Sequence, residues 1–365
     1  MKLISFKYKN ASWKLKKLQF KDVNLIVGTN SSGKSRTLDF LFSLNKIIVF
    51  QLESLVKWNS KWELIFQTAE NQTLNYSIEL IIDKNLGYFN DAKLIKETIS
   101  IDDDVVLERN EQDKAKIKSS VTNEWEELFP PNTKLVLHTR RDTKHFPFLE
   151  NIVVWVEQLQ LFKFGDISSL SLSDHYRKMP ELFHSLTPEQ QSKIKKELND
   201  IGYGIEKFES AYISSIVAEQ SHYRLDLQEE GVKNPLNFYE LSQGMSRALS
   251  ILVFIESQLN KKTISTLLID DFCEGLDYSK ATKLGKLVFD KCKNSNIQLI
   301  TTSNDGFLMD TIDLKYWHVL KREGSIVKSI SIDTHPEIFE KFKFTGLSNF
   351  DFFSSDFLKQ NESKA

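Results

Sequence analysis

Gly28-Thr29-Asn30-Ser31-Ser32-Gly33-Lys34-Ser35 decides the fold. The stretch satisfies G-x-x-x-x-G-K-[S/T] in full. It follows the apolar run Val23–Val27 and opens a segment in which Leu38, Leu41, Phe42, Ile48, Val49, Leu52, Leu55 and Val56 recur at helical spacing. Strand, glycine-rich loop and helix in that order let backbone N–H groups curl around phosphate oxygens at a helix N-terminus. The candidate nucleotide-binding residues are therefore Gly28, Asn30, Ser31, Ser32, Gly33, Lys34, Ser35 and Arg36. Lys34 is expected to reach the β- and γ-phosphates, and the Ser35 hydroxyl to ligate Mg2+.

A second apolar run, Thr266–Ile269, ends in Asp270-Asp271. Two carboxylates at a strand end commonly cap the next turn, but beside a phosphate loop they acquire a chemical use. Asp270 is placed to hold Mg2+, and Asp271 to polarise an attacking water as general base. Between the two motifs lies Leu241-Ser242-Gln243-Gly244-Met245-Ser246-Arg247, a serine-capped start to a strongly apolar helix. This stretch resembles the LSxGx signature of the ABC-type ATPases, and Gly275-Leu276-Asp277 is similar to the D-loop of that class. The resemblance implies that Ser242, Gln243, Gly244 and Asp277 contact nucleotide held by a second subunit, and that the nucleotide is ATP. Thr301-Thr302-Ser303-Asn304 stands where the class carries its switch histidine, which puts Ser303 in that position. Asp271 likewise occupies the position of a glutamate. Both departures point to slow turnover, with Asp271, Lys34 and Ser303 as the catalytic candidates.

Ser242 follows Ser35 by 207 residues, a longer separation than the resemblance to transporter subunits implies. With Asn30 in the loop and a preceding Phe20–Gly28 segment, the chain resembles the RecF/SMC/OLD-like branch. No heptad run supports a coiled-coil arm, and no acidic cluster supports a fused TOPRIM nuclease. The resemblance implies a compact head that dimerises around Mg-ATP and controls a protein effector such as a nuclease or toxin, as in phage-defence cassettes. The competing expectations are a RecF-like DNA-binding protein and a non-hydrolysing, ATP-bound scaffold.

Composition narrows the partners. The 365 residues carry 48 Lys+Arg and 50 Asp+Glu, a net charge of −2, which excludes coating of nucleic acid by bulk charge. Lys2, Lys7, Lys9, Lys14, Lys16, Lys17 and Lys21 precede the first acid, Asp22, so any nucleic-acid contact is local. The alternative for these lysines is the guarded solvent face of an edge hairpin. The longest apolar runs are far below the roughly 18–20 residues of a spanning helix, and the lysine-punctuated start is no signal peptide. A cytoplasmic protein without a membrane partner is expected. Cys273 and Cys292 lack metal-site spacing.

The fold class expected is α/β: a P-loop NTPase head of ABC type with a mixed/parallel core sheet. A β-rich N-terminal lobe spans 1–150 and a small helical insertion 151–210. A lobe with signature and second carboxylate motif follows at 211–320, then a hairpin and aromatic tail at 321–365. Strands are expected at 2–8, 13–27, 62–66, 74–82, 105–107, 134–138, 211–217, 223–227, 266–269 and 297–301, and a tail hairpin at 317–320 and 326–332. Helices are expected at 149–162 and 245–259, and the Lys-rich 110–120 as an exposed connection. Thr187-Pro188-Glu189-Gln190 has the residues of a capping box. The tail phenylalanines Phe339, Phe342, Phe344, Phe350, Phe352, Phe353 and Phe357 are expected to anchor the C-terminal segment on its own core.

Overall fold

The structure, a computed structural model, describes residues 1–50, 59–83, 91–111, 113–163, 178–213, 223–259, 261, 263–355 and 357–362. Leu52, Leu55 and Val56 of the first helical pattern, and 214–217 of one expected strand, lie outside these. Among the described residues one fourteen-stranded sheet dominates. Its first half runs β10 (Leu159–Lys163), β14 (Ser265–Asp270), β15 (Ile297–Thr302), β3 (Val23–Val27) and β16 (Trp317–Glu323), all parallel. It continues through β17 (Ile326–Ile330), β2 (Lys14–Gln19), β1 (Lys2–Asn10), β4 (Ser60–Gln67), β5 (Thr73–Asp83), β6 (Asp91–Ile101), β7 (Asp104–Glu111), β8 (Lys114–Lys118) and β9 (Trp125–Leu128). All pairings in this second half are antiparallel except β17 with β2. A separate sheet holds β11 (Ile205–Tyr212), β12 (Tyr223–Glu229) and β13 (Leu236–Asn237).

The central parallel strands β3, β14 and β15 are buried on both faces, and so are rich in apolar residues. Alternate side chains supply two cores. Leu25, Leu267, Ile269 and Leu299 face the helices Gln243–Gln258 and Tyr278–Cys292. Ile26, Leu268 and Ile300 face the helices Lys34–Phe50 and Pro147–Glu157. The three-layer arrangement leaves the C-terminal ends of β3, β14 and β15 side by side, where doubly covered parallel sheets place ligands.

The capping box at Thr187 forms: its hydroxyl accepts the Gln190 N–H and the Gln190 carboxamide accepts the Thr187 N–H. In the tail, Phe339, Phe342 and Phe352 are buried and Phe350, Phe353 and Phe357 pack against the same core, whereas Phe344 is 90% exposed.

Five expectations change. Residues 13–27 are two strands, broken where Asn24 accepts the Lys21 N–H. The Lys-rich connection holds the strand β8, because Ala115 and Ile117 alternate inward between outward lysines. Lys134–His138 is not a strand: a short helix, Val136–Thr139, forms there, as buried Arg109 takes the carbonyls of Pro130, Pro131 and Lys134 while Glu97 takes the Val136 N–H. The helix expected over 149–162 stops at Glu157, and 159–163 becomes β10, paired in parallel with β14. Finally, the lysine-rich β1–β2 hairpin is interior to the sheet, between β17 and β4, rather than at an edge.

Candidate functional site

The phosphate loop closes on itself. Lys34 is 6% exposed and donates to the carbonyls of Gly28 (2.8 Å) and Thr29 (3.4 Å). Burial lowers its pKa, and Asp271 and Asp270 act against that shift. Ser31 at φ 65° and Gly33 at φ 104° bend the chain so that successive N–H groups converge. A Cβ on Gly33 would stand 2.0 Å from the Trp13 ring, so only glycine lets the loop lie on that indole. The Ser32 hydroxyl is buried with no hydrogen-bond partner among the described residues, a polar group that a phosphate oxygen would satisfy. This cradle therefore fits a nucleoside triphosphate.

Opposite the loop, β14 and β15 deliver three polar groups. Thr302 donates to Asp270 Oδ1 at 2.7 Å and accepts the Asp271 N–H at 2.9 Å. Asp271 sits at φ 49°, a conformation uncommon outside glycine, and turns from the sheet towards Lys34. Its carboxyl pKa is raised by burial first, then by Asp270 and Glu274, with Lys34 and Arg247 opposing. The shift brings it nearer the range of a general base. Ser35 and Asp270 are the residues present to hold Mg2+ beside the phosphates; the described residues contain no cluster of three or more His, Cys, Asp or Glu suited to a metal.

Of the expected residues, Asn30, Ser31, Gly33, Lys34, Ser35, Arg36 and Asp271 line one pocket of about 400 Å³. Four others were missed in sequence. Asn304 lines the pocket and donates to Asn30 Oδ1 at 3.0 Å. Trp13 and Arg322 complete its wall. Lys163, at the end of β10, pairs with Asp39 and lies 4.0 Å from Asp270. Ser303 lines an adjoining pocket of about 380 Å³ with Asn30, Asp271 and Asn304, where its buried hydroxyl donates to the Phe272 carbonyl at 3.0 Å and accepts the Asp305 N–H.

Among the described residues, Ser242, Gln243, Gly244 and Asp277 do not line that pocket. Ser242 caps its helix by accepting the Met245 N–H, and its side and that of Gln243 are exposed. Gly244 permits close approach, since a Cβ would lie 2.7 Å from Leu276. Asp277 caps the helix Tyr278–Cys292 and pairs with Lys280 at 2.6 Å. Buried Arg247 ties this region to the carboxylate loop by donating to the Glu274 and Asp271 carbonyls.

Residues 23–310 match the family described as "AAA domain, putative AbiEii toxin, Type IV TA system". The chain belongs to this family. The match spans the phosphate loop, the signature stretch and the paired aspartates, so the protein carries a P-loop ATPase-like domain. Among solved structures, an SMC head bound to the C-winged helix domain of ScpA superposes at TM-score 0.52 and 13% identity, covering 92% of this chain and 100% of that one. SMC head domains from Thermotoga maritima (TM-score 0.46, 13% identity, 91% and 99% covered) and Pyrococcus furiosus (0.49, 14%, 94% and 99%) also match. The first of these similarities shows a shared fold. No curated protein sequence matches the chain. No helix among the described residues is long and apolar enough to cross a membrane.

Proposed function

We propose that this AAA-family head is an ATP-driven switch in which two copies enclose two Mg-ATP molecules, each copy offering its phosphate loop to one and its signature loop to the other. One observation carries the reading: Lys34, Ser35 and Asp271 share a pocket, while the exposed Ser242–Gln243 helix start stands outside it. A helix N-terminus facing outward is an anion site for a ligand held elsewhere.

Within the pocket Lys34 and the loop N–H groups hold the polyphosphate, and Ser35 with Asp270 hold the cation. Asp271, its carboxyl pKa raised by burial and by neighbouring Asp270 and Glu274, accepts a proton from water as a carboxylate. Asn304, two residues past β15, bonds Asn30 beside Ser303 at the edge of the site. Serine and asparagine carry no imidazolium charge, which favours slow turnover and a long-lived ATP-bound state. The family's description mentions a toxin and a type IV toxin–antitoxin system; on that basis the switch governs a protein effector in phage defence.

Light scattering with and without Mg-ATP tests the reading. Wild type and Asp271→Asn should dimerise with nucleotide, Asp271→Asn more persistently, and Lys34→Ala should stay monomeric. A mass unchanged by Mg-ATP in both wild type and Asp271→Asn refutes it. Phosphate release above the Lys34→Ala background separates a hydrolysing switch from an inert scaffold.

A further inference from the structure

The pocket has a reacting end, marked by Lys34, Ser35 and Asp271, and a floor made by the phosphate loop. What remains is a wall of Trp13, Arg36 and Arg322, of which only Arg36 belongs to the phosphate-loop candidates. Trp13 is 1% exposed, and its indole N–H has no hydrogen-bond partner among the described residues, so packing alone positions it. The Arg322 guanidinium carbon lies 5.1 Å from the Trp13 ring centroid and that of Arg36 4.8 Å. Arg322 is further pinned at both ends of its fork: Nε donates to the Gly324 carbonyl at 2.7 Å and a terminal nitrogen to the Ser31 carbonyl at 3.3 Å. Its hairpin is tied to the Trp13 strand by the Lys14 N–H donating to the Ser325 carbonyl at 2.7 Å. The plane of this guanidinium is thus fixed, while the side chain itself stays exposed to the pocket.

We propose that Arg322 is the platform for the nucleotide's base, a planar cation resting on buried Trp13 and offering its outer surface to a purine. The inference rests on reading the pocket as a nucleoside triphosphate site. With the phosphates at Lys34, the nucleoside extends along the wall that is left. The indole is covered, so the base meets the guanidinium, a group that stacks on π-faces. Stacking tolerates any base and favours the larger purines, because every base has a π-face.

Two probes separate base from phosphate contact: ATP and inorganic tripolyphosphate, each titrated with Mg2+ by calorimetry. Arg322→Ala should weaken ATP about 10-fold, as loss of one stacked base does, and leave tripolyphosphate within about 2-fold. Arg322→Lys keeps the charge but not the plane, and should lose ATP affinity to the same extent. It should also erase the purine preference seen by comparing GTP with UTP. Equal losses for both probes would make Arg322 a phosphate ligand and overturn the proposal; so would unchanged ATP affinity in a folded variant. If wild type binds neither probe, the nucleotide reading itself falls. If it binds both and Lys34→Ala binds neither, that reading stands and the arginine is judged on its own.

Discussion

Thr302 and Asp270 are joined by a 2.7 Å hydrogen bond from hydroxyl to carboxylate, and the same hydroxyl oxygen receives the Asp271 N–H at 2.9 Å. One side chain of β15 thereby sets the rotamer of the first acid on β14 and the left-handed backbone of the second. Replacing it with isosteric valine removes both bonds and leaves a buried carboxylate oxygen and an N–H without partners. Thr302→Val should cost about 1–3 kcal/mol of stability. Phosphate release should fall by about 10-fold or more, as expected when a positioned base loses its support, whereas Thr302→Ser should retain most of both. Thermal melting and a phosphate assay read the two effects separately. Loss of stability without loss of turnover would show that the hydroxyl merely braces the strands.

The Gly33–Trp13 contact predicts a partial rescue. Gly33→Ala meets two obstacles, a φ of 104° and a ring 2.0 Å from the new carbon. Trp13→Ala removes only the second. The double variant should bind nucleotide better than Gly33→Ala alone yet worse than Trp13→Ala, an interaction on the order of 1–3 kcal/mol for neighbours sharing a contact. Strictly additive losses would mean the indole does not constrain the loop.

Lys291 joins three helices by pairing with Glu197 and Glu256, and Lys193 adds a second cation to Glu256. Burial raises the Glu197 pKa, and Lys291 opposes it. Lys291→Met leaves Glu197 without its cation beside Glu256, which keeps only Lys193, a change that costs roughly 3–5 kcal/mol. Adding Glu197→Gln and Glu256→Gln should restore most of this. Urea denaturation of the single and triple variants checks the sign.

His318 carries an acid-side prediction. Its ring is fully buried against Asn24, 3.1 Å away, and its pKa is pushed down to about 4, chiefly by burial and secondarily by Lys21. A neutral ring in the fold and an ordinary one in the unfolded chain mean the unfolded state binds the extra proton. Stability contributed by this group is present above the ordinary histidine value near 6.5 and is lost as pH falls through about 4. The full swing is on the order of 3 kcal/mol. The melting temperature should drop across that window, and His318→Gln should flatten the drop.

Much of the architecture was written locally. A glycine loop between an apolar strand and a helix needs only adjacent residues, as do the serine cap at Ser242 and the capping box at Thr187. The wall of the pocket was not legible, because Trp13 and Arg322 meet only when β17 pairs with β2, more than three hundred residues apart. Neighbouring positions share the work: both Ser303 and Asn304 follow β15 into the pocket beside Asp271, and spacing alone does not say that Asn304 also reaches Asn30. Lys134–His138 looked extended by composition, and was captured instead by the buried Glu97 and Arg109 from distant strands.

The parallel order β15–β3–β16 has a consequence for how the protein is made. The strand that carries the phosphate loop ends at Val27, yet both of its sheet neighbours begin only at Ile297 and Trp317. On a ribosome adding roughly 5–20 residues per second, β3 emerges and waits about 15–50 s for a partner. During that interval its four apolar residues, Val23, Leu25, Ile26 and Val27, are an unpaired edge. A truncated transcript or a stalled ribosome therefore releases a fragment that carries the entire Gly28–Ser35 motif yet lacks the strands that shape it. The strands flanking the phosphate loop are therefore complete only after Glu323 has been made, and any fragment ending earlier carries the motif without its neighbours.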